Sequence, residues 1–173
     1  MIGLDKDCLL ATVDEKNEIK GSVPLSEYLK NPKEYRVLCI RVIPISKDKE
    51  FILSSDVFFD GSMYDTAYCT FLKFGEDYPD ALKRIEEALS PSNPLEVTRY
   101  YCNNEKYNIN VFLHYVRQTI EEAKEKHKNV VCYPSEIGTD DIIENSMLFS
   151  EIRFLKTNII PFLDLDIHKG IDL

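Results

Sequence analysis

The chain has 173 residues, 44% of them apolar and 11% aromatic, which is enough for one domain with a real core and too few for two comfortable ones. Its 30 acidic residues against 21 basic ones leave a net charge of -9. That balance weighs against gripping a nucleic-acid backbone, where affinity comes from Lys and Arg displacing counterions, and suits solubility or docking on a basic surface.

Five cysteines, Cys8, Cys39, Cys69, Cys102 and Cys132, are odd in number, sit among apolar or aromatic neighbours and form no close Cys-x-x-Cys pair. They read as reduced, mostly buried thiols. Their spacing of roughly thirty residues is not echoed in their flanks, so no repeat is inferred. The first residues, Met1-Ile2-Gly3-Leu4-Asp5-Lys6-Asp7, carry acids where a signal peptide carries a basic region. No apolar run approaches the roughly 18 residues that span a bilayer. A soluble, cytoplasmic protein without a membrane partner is expected.

In chain order, Cys8-Leu9-Leu10-Ala11-Thr12-Val13 closed by Asp14-Glu15-Lys16-Asn17 predicts a short strand or hairpin. Leu25, Tyr28 and Leu29 then mark one or two helical turns over residues 22–30, ending at Asn31-Pro32. Residues 35–45 are β-branched and lead through Ser46-Lys47-Asp48-Lys49-Glu50 into residues 51–55, the clearest hairpin in the sequence. Val37, Cys39 and Ile43 share one face and Leu38, Ile40 and Val42 the other, which marks a central strand covered on both sides. Arg36 and Arg41 break that pattern and are expected at a strand end, solvated or paired.

Residues 64–73 form a further extended stretch. It runs into Phe74-Gly75-Glu76-Asp77-Tyr78-Pro79, a glycine-acid turn opening a helix with Ala81, Leu82, Ile85, Ala88 and Leu89 on its buried face. Ser90-Pro91-Ser92-Asn93-Pro94 stops that helix. Two strands follow around Asn103-Asn104-Glu105-Lys106. Because Leu113, Val116, Ile120, Ala123 and His127 also fit a helical face, the boundary is set as strand through Val116 and helix over 118–128. Residues 129–133 form a short strand leading into Pro134-Ser135-Glu136-Ile137, and helical periodicity returns over 140–145 and over 150–163, interrupted at Pro161.

This order of elements resembles a Nudix domain, over about residues 35–163, with residues 1–34 as an N-terminal extension of a single domain spanning 1–173. The resemblance implies an α/β (α+β) fold, a Nudix-like mixed β-sheet flanked by helices. Gly75-Glu76-Asp77-Tyr78 to Ala81-Leu82-Lys83-Arg84 is similar to the front half of the Nudix box, with Glu76 at its first glutamate and Arg84 at the required interval. The back half departs from it: Ile85, Ala88 and Leu89 stand where the box has glutamates, and Thr70 and Pro91 where it has glycines.

The resemblance implies hydrolysis of a nucleoside diphosphate link with Mg²⁺ held by helix carboxylates. Glu76 and Glu87 are the candidate catalytic and metal residues, holding at most one weak Mg²⁺ site. Glu86 and Glu87 are adjacent, about 100° apart around a helix, and cannot restore the missing arrangement without a shift. Asp80, Arg84 and Glu87 share a face and equally suit a surface ion-pair row.

Arg84, Tyr101 and Glu136 are the candidate ligand-binding residues: Arg84 from the box, Glu136 from the late turn that resembles a substrate-pocket lining. Tyr101 belongs to the cluster Tyr100, Tyr101, Tyr107 and Tyr115, which suits a stacking wall for a base or the filling of a sheet face. His114, His127 and His168 lack zinc-ligand spacing and are expected to be packed or half-exposed.

Residues 121–126 read as a solvated helical face. Asp164-Leu165-Asp166-Ile167-His168 suits an edge strand or a tail that docks on a partner. The expectation is therefore a Nudix-like domain with a degraded box that binds a nucleotide or other phosphorylated small molecule, with weak or no hydrolysis. The alternative is a small acidic interaction protein of the immunity or inhibitor type, docking on a basic protein partner.

Overall fold

A computed structural model describes residues 1–55, 64–89, 95–103, 107–127, 129–134 and 147–163. The element that fixes the rest is β3 (Val37–Ile45), whose nine residues are all buried. Strand β5 (Tyr68–Phe71) runs antiparallel on one edge of it, from Cys39↔Phe71 to Val42↔Tyr68. Strand β7 (Ile109–Arg117) runs parallel on the other, from Val37↔Ile109 to Ile45↔Arg117, and carries β6 (Glu96–Asn103) outside it.

At the start of β3, Thr12 of β1 (Leu9–Val13) meets Val37, and β1 pairs outward with β2 (Ile19–Pro24). The β1–β2 turn follows from Asp14, whose Oδ1 accepts the backbone N–H groups of Lys16 and Glu18, and from Asn17, which takes a φ of 65°.

The hairpin expected over residues 35–55 is only partly formed. β4 (Glu50–Ser54) touches β3 at Ile45↔Phe51 alone and then pairs along its length with β8 (Val130–Pro134). Both edges of β3 are already occupied by β5 and β7, so β4 has no edge to follow and diverges. The result is one mixed sheet of eight strands.

Helices cover the two faces. Leu38, Ile40 and Val42 pack with Ala81, Ile85 and Leu89 of α2 (Tyr78–Leu89). Burying a side chain such as Ile85, which is 0% exposed, contributes about 2 kcal/mol. On the other face, Ile43 and Ile45 pack with Leu148, Ile152 and Leu155 of α4 (Met147–Asn158), which continues into a 3-10 turn at Ile160–Phe162 containing Pro161. Leu10, Val23, Leu25 and Tyr28 share a core with Val37 and Cys39, so the residues ahead of 35 are built into the same core; Leu25 and Tyr28 lie on α1 (Leu25–Lys30).

The strand-to-helix boundary expected near Val116 lies one residue later, after Arg117. Helix α3 (Ile120–Lys126) starts at a capping box in which Thr119 Oγ1 accepts from Glu122 N–H and Glu122 Oε2 from Thr119 N–H. Among the described residues no helix is long and apolar enough to cross a membrane.

Two expectations need correction in part. Arg41 is paired, as expected, but it lies in the middle of β3 and is fully buried rather than at a strand end or solvated. Of the five free cysteines only Cys39 and Cys69 are buried; Cys8 and Cys132 are half-buried and Cys102, on the outward side of β6, is exposed.

Candidate functional site

The turn between β5 and α2 is held by its neighbours before the helix begins. Lys73 bridges to Leu10, and Phe74 N–H donates to Leu9 O at 2.9 Å. Gly75 takes a φ of +90°, a left-handed conformation that glycine adopts without steric cost. It brings Glu76 back over the turn, where its Oε1 accepts from Lys73 N–H at 2.7 Å. Asp77 and Asp80 then close the helix start reciprocally, each carboxylate accepting from the other's backbone N–H at 3.0 and 3.2 Å.

Two turns into α2, Arg84 reaches back to this turn. Its Nη1 contacts both carboxylate oxygens of Glu76. Its Nη2 donates to Phe71 O at 2.8 Å and to Thr70 Oγ1 at 3.1 Å. The pair is largely enclosed, with side-chain exposures of 17% for Arg84 and 14% for Glu76. Glu76 and Arg84 are thus brought together, while Glu87 lies on the exposed face of α2. Of the positions expected to match glutamates of the Nudix box, Ile85 and Leu89 are buried in the core under the sheet, and Ala88 is half-buried.

Tyr101 lies on the other face of the sheet, the α4 side. Its hydroxyl donates to Glu151 Oε1 at 2.6 Å, and the Arg99 guanidinium sits 4.8 Å from its ring centre. Burial pushes the Tyr101 hydroxyl well above its usual range, with the Glu151 charge adding to it. Tyr101 and Arg84, both expected to bind ligand, therefore lie on opposite faces of the sheet. Of the other tyrosines, Tyr107 is buried, Tyr115 is half-buried against the α4 core, and Tyr100 is exposed, its hydroxyl donating to Glu15 O at 3.0 Å. Glu136 lies outside the described residues, as do residues 140–145 and His168.

What the sequence did not disclose is a fully buried charged network on the α4 side. Arg41 Nε and Nη2 donate to Glu151 at 2.7 and 2.9 Å, and its guanidinium is also paired with Asp65. An arginine inside a β-branched strand is the one available signal, since a buried guanidinium requires carboxylate partners. Burial raises the Glu151 carboxyl above its ordinary range, opposed by the charge of Arg41. On the α2 side, His114 is packed as expected, 1% exposed, with Nε2 at 2.8 Å from the Tyr78 hydroxyl. Among the described residues, no three of His, Cys, Asp and Glu cluster as metal ligands would.

No family model matches the chain, and no curated protein matches it. The fold is similar to that of DR0079 from Deinococcus radiodurans. Its crystal structure is 12% identical, with a TM-score of 0.56 over 74% of this chain and 83% of that one. The NMR solution structure of DR0079, described as a hypothetical Nudix protein, is 14% identical over 94% and 95% of the two chains. Its TM-score is 0.40, too low to carry an argument. At such identity the likeness concerns the fold alone: this chain has an α+β, Nudix-like fold, a mixed sheet of eight strands flanked by helices.

Proposed function

We propose that this Nudix-like domain binds a nucleotide or another phosphorylated small molecule, with Arg84 as a phosphate contact, and hydrolyses it weakly or not at all. The observation that carries this reading is the Glu76–Arg84 pair. The one box carboxylate that remains in register is already neutralised by a guanidinium and accepts the Lys73 N–H. The positions that would supply further carboxylates are apolar, and Ile85 and Leu89 are packed into the core. This donor set does not fit Mg²⁺, which takes carboxylate oxygens free to coordinate it. Glu87, on the exposed face of α2, leaves at most a weak site. The buried thiols Cys39 and Cys69 suit a reducing compartment, and residence in the cytoplasm belongs to the same reading.

Incubation with a panel of nucleoside diphosphate compounds and Mg²⁺, alongside a thermal-shift screen on the same panel, tests it. Stabilisation by phosphorylated compounds with little or no turnover is expected. Brisk turnover abolished in Glu76→Gln and Glu87→Gln would overturn it.

The net charge of -9 favours a second reading, an acidic interaction protein of the immunity or inhibitor type that docks on a basic protein. No stabilisation by any phosphate compound, together with co-purification of one stoichiometric basic partner, would replace the first reading with this one.

A further inference from the structure

The first three residues lie over the box arginine. Ile2 N–H donates to Cys69 O at 2.8 Å, and the Thr70 hydroxyl donates to Ile2 O at 2.8 Å, so the segment is fastened to β5 at two consecutive residues. The same Thr70 oxygen accepts from Arg84 Nη2 at 3.1 Å, which joins the fastening to the guanidinium. Gly3 follows with a φ of +65°, and a Cβ placed on it would lie 2.7 Å from Arg84 Cδ and 3.2 Å from Nε. Only a glycine takes that conformation and that approach together.

Beneath it, Arg84 Nε is buried with no hydrogen-bond partner, although the two terminal nitrogens are satisfied by Glu76, Thr70 and Phe71. A guanidinium grips carboxylate or phosphate through two parallel N–H groups, and Nε–H beside Nη2–H is such a fork. Here the Nη2 tine is bonded to Thr70 and Phe71, and the Nε tine is covered by the Gly3 backbone.

We propose that residues 1–3 form a strap over Arg84 that controls whether an anion reaches the Nε side of its guanidinium. The inference rests on the reading of Arg84 as a phosphate contact and supplies its regulation. The strap is held to β5 by two hydrogen bonds and the half-buried Ile2, while Met1 is 43% exposed. Lifting it frees Nε–H without breaking the Glu76–Arg84 pair, because Glu76 binds Nη1.

Two variants disturb the contact between the strap and Arg84 while keeping the arginine in the sequence. Gly3→Val places a branched side chain against Arg84 Cδ, and Ile2→Pro removes the N–H that binds Cys69 O. Each is first checked for a cooperative thermal melt; Ile2→Pro, at a half-buried position, serves where Gly3→Val fails to fold. The solvent-exchange rate of the Arg84 Nε–H, followed by ¹⁵N NMR, reports access to that nitrogen, and calorimetry with inorganic pyrophosphate reports anion binding. The strap predicts several-fold faster exchange at the Arg84 Nε–H, unchanged exchange at the buried Arg41 Nε–H, and tighter pyrophosphate binding. An unchanged exchange rate at Arg84 in folded variants overturns it. Faster exchange without pyrophosphate binding leaves the strap standing as a cover and overturns the phosphate-binding reading instead.

Discussion

Arg41 Nε donates to Glu151 Oε1 at 2.7 Å across the junction of β3 and α4, and neither side chain is reached by solvent. With Asp65 on the same guanidinium and the Tyr101 hydroxyl on the same glutamate, four residues from four parts of the chain meet in one dry network. Breaking such a pair from one side strands a buried charge and costs about 3–5 kcal/mol. Arg41→Met strands two carboxylates and is expected at the top of that range. Glu151→Gln keeps an acceptor for the guanidinium and is expected to cost less. Urea denaturation of the two variants checks the order, and a Glu151→Gln loss equal to that of Arg41→Met would show that the charge pairing itself dominates.

Two carboxyls give stability opposite dependences on pH. Asp14 is held down from its ordinary 3.8 to about 2, first by its bond with Lys20 and further by the N–H groups of Glu18 and Lys16, with desolvation opposing them. Its contribution is complete above 3.8 and is lost as pH falls through about 2, because the unfolded chain takes up the proton first. Glu151, raised from 4.5 by burial against the pull of Arg41, has the opposite sign: its contribution is full below 4.5 and is lost as pH rises through its folded value. Denaturation between pH 2 and 7 is expected to show a shallower acid limb in Asp14→Asn. In Glu151→Gln, the decline beginning above 4.5 should disappear.

The local elements were legible because their signals are local. The Asp14-to-Asn17 turn, the two apolar faces of β3 and the buried stripe of α2 each follow from residues within a few positions of one another. Pairings over long separations carry no such mark. The parallel register of β3 with β7 joins Val37 to Ile109, and it decides why β4 leaves β3 after a single contact. Arg41 was visible as an exception, but its partners lie 24 and 110 residues away, where Glu151 reads as one more polar residue on a helix. At the candidate site the spacing of Glu76 and Arg84 placed them on one feature, whereas Tyr101 is adjacent to the exposed Tyr100 in sequence and faces the other side of the sheet. Gly3 gave no sign at all, since its role depends on what Arg84 does.

Gly75 offers a test of backbone strain without packing. A Cβ there would meet nothing within 4 Å, yet the φ of +90° lies in the region that side chains avoid. Gly75→Ala is therefore expected to cost about 1 kcal/mol through conformation alone. Hydrogen exchange should speed up at the Glu76 amide, which donates to Lys73 O, with α2 itself unchanged. Equal loosening along α2 would mean that the turn and the helix unfold as one unit.

The Glu76–Arg84 pair separates its structural role from any catalytic one through graded substitution. Glu76→Ala leaves an enclosed guanidinium facing no carboxylate, and charge-assisted hydrogen bonds of this kind contribute about 2 kcal/mol. Glu76→Gln retains the one oxygen that Lys73 N–H and Arg84 Nη1 share while removing the charge and replacing the second oxygen with an NH2, so about half that loss is expected. Arg84→Lys cannot reach Glu76, Thr70 and Phe71 at once, because one ammonium replaces a fork of donors, and should resemble the alanine variant. Urea midpoints rank the three. If Glu76→Gln destabilises as much as Glu76→Ala, the ion pair rather than the hydrogen bonds fastens the turn to α2, and the carboxylate is a fixed structural charge.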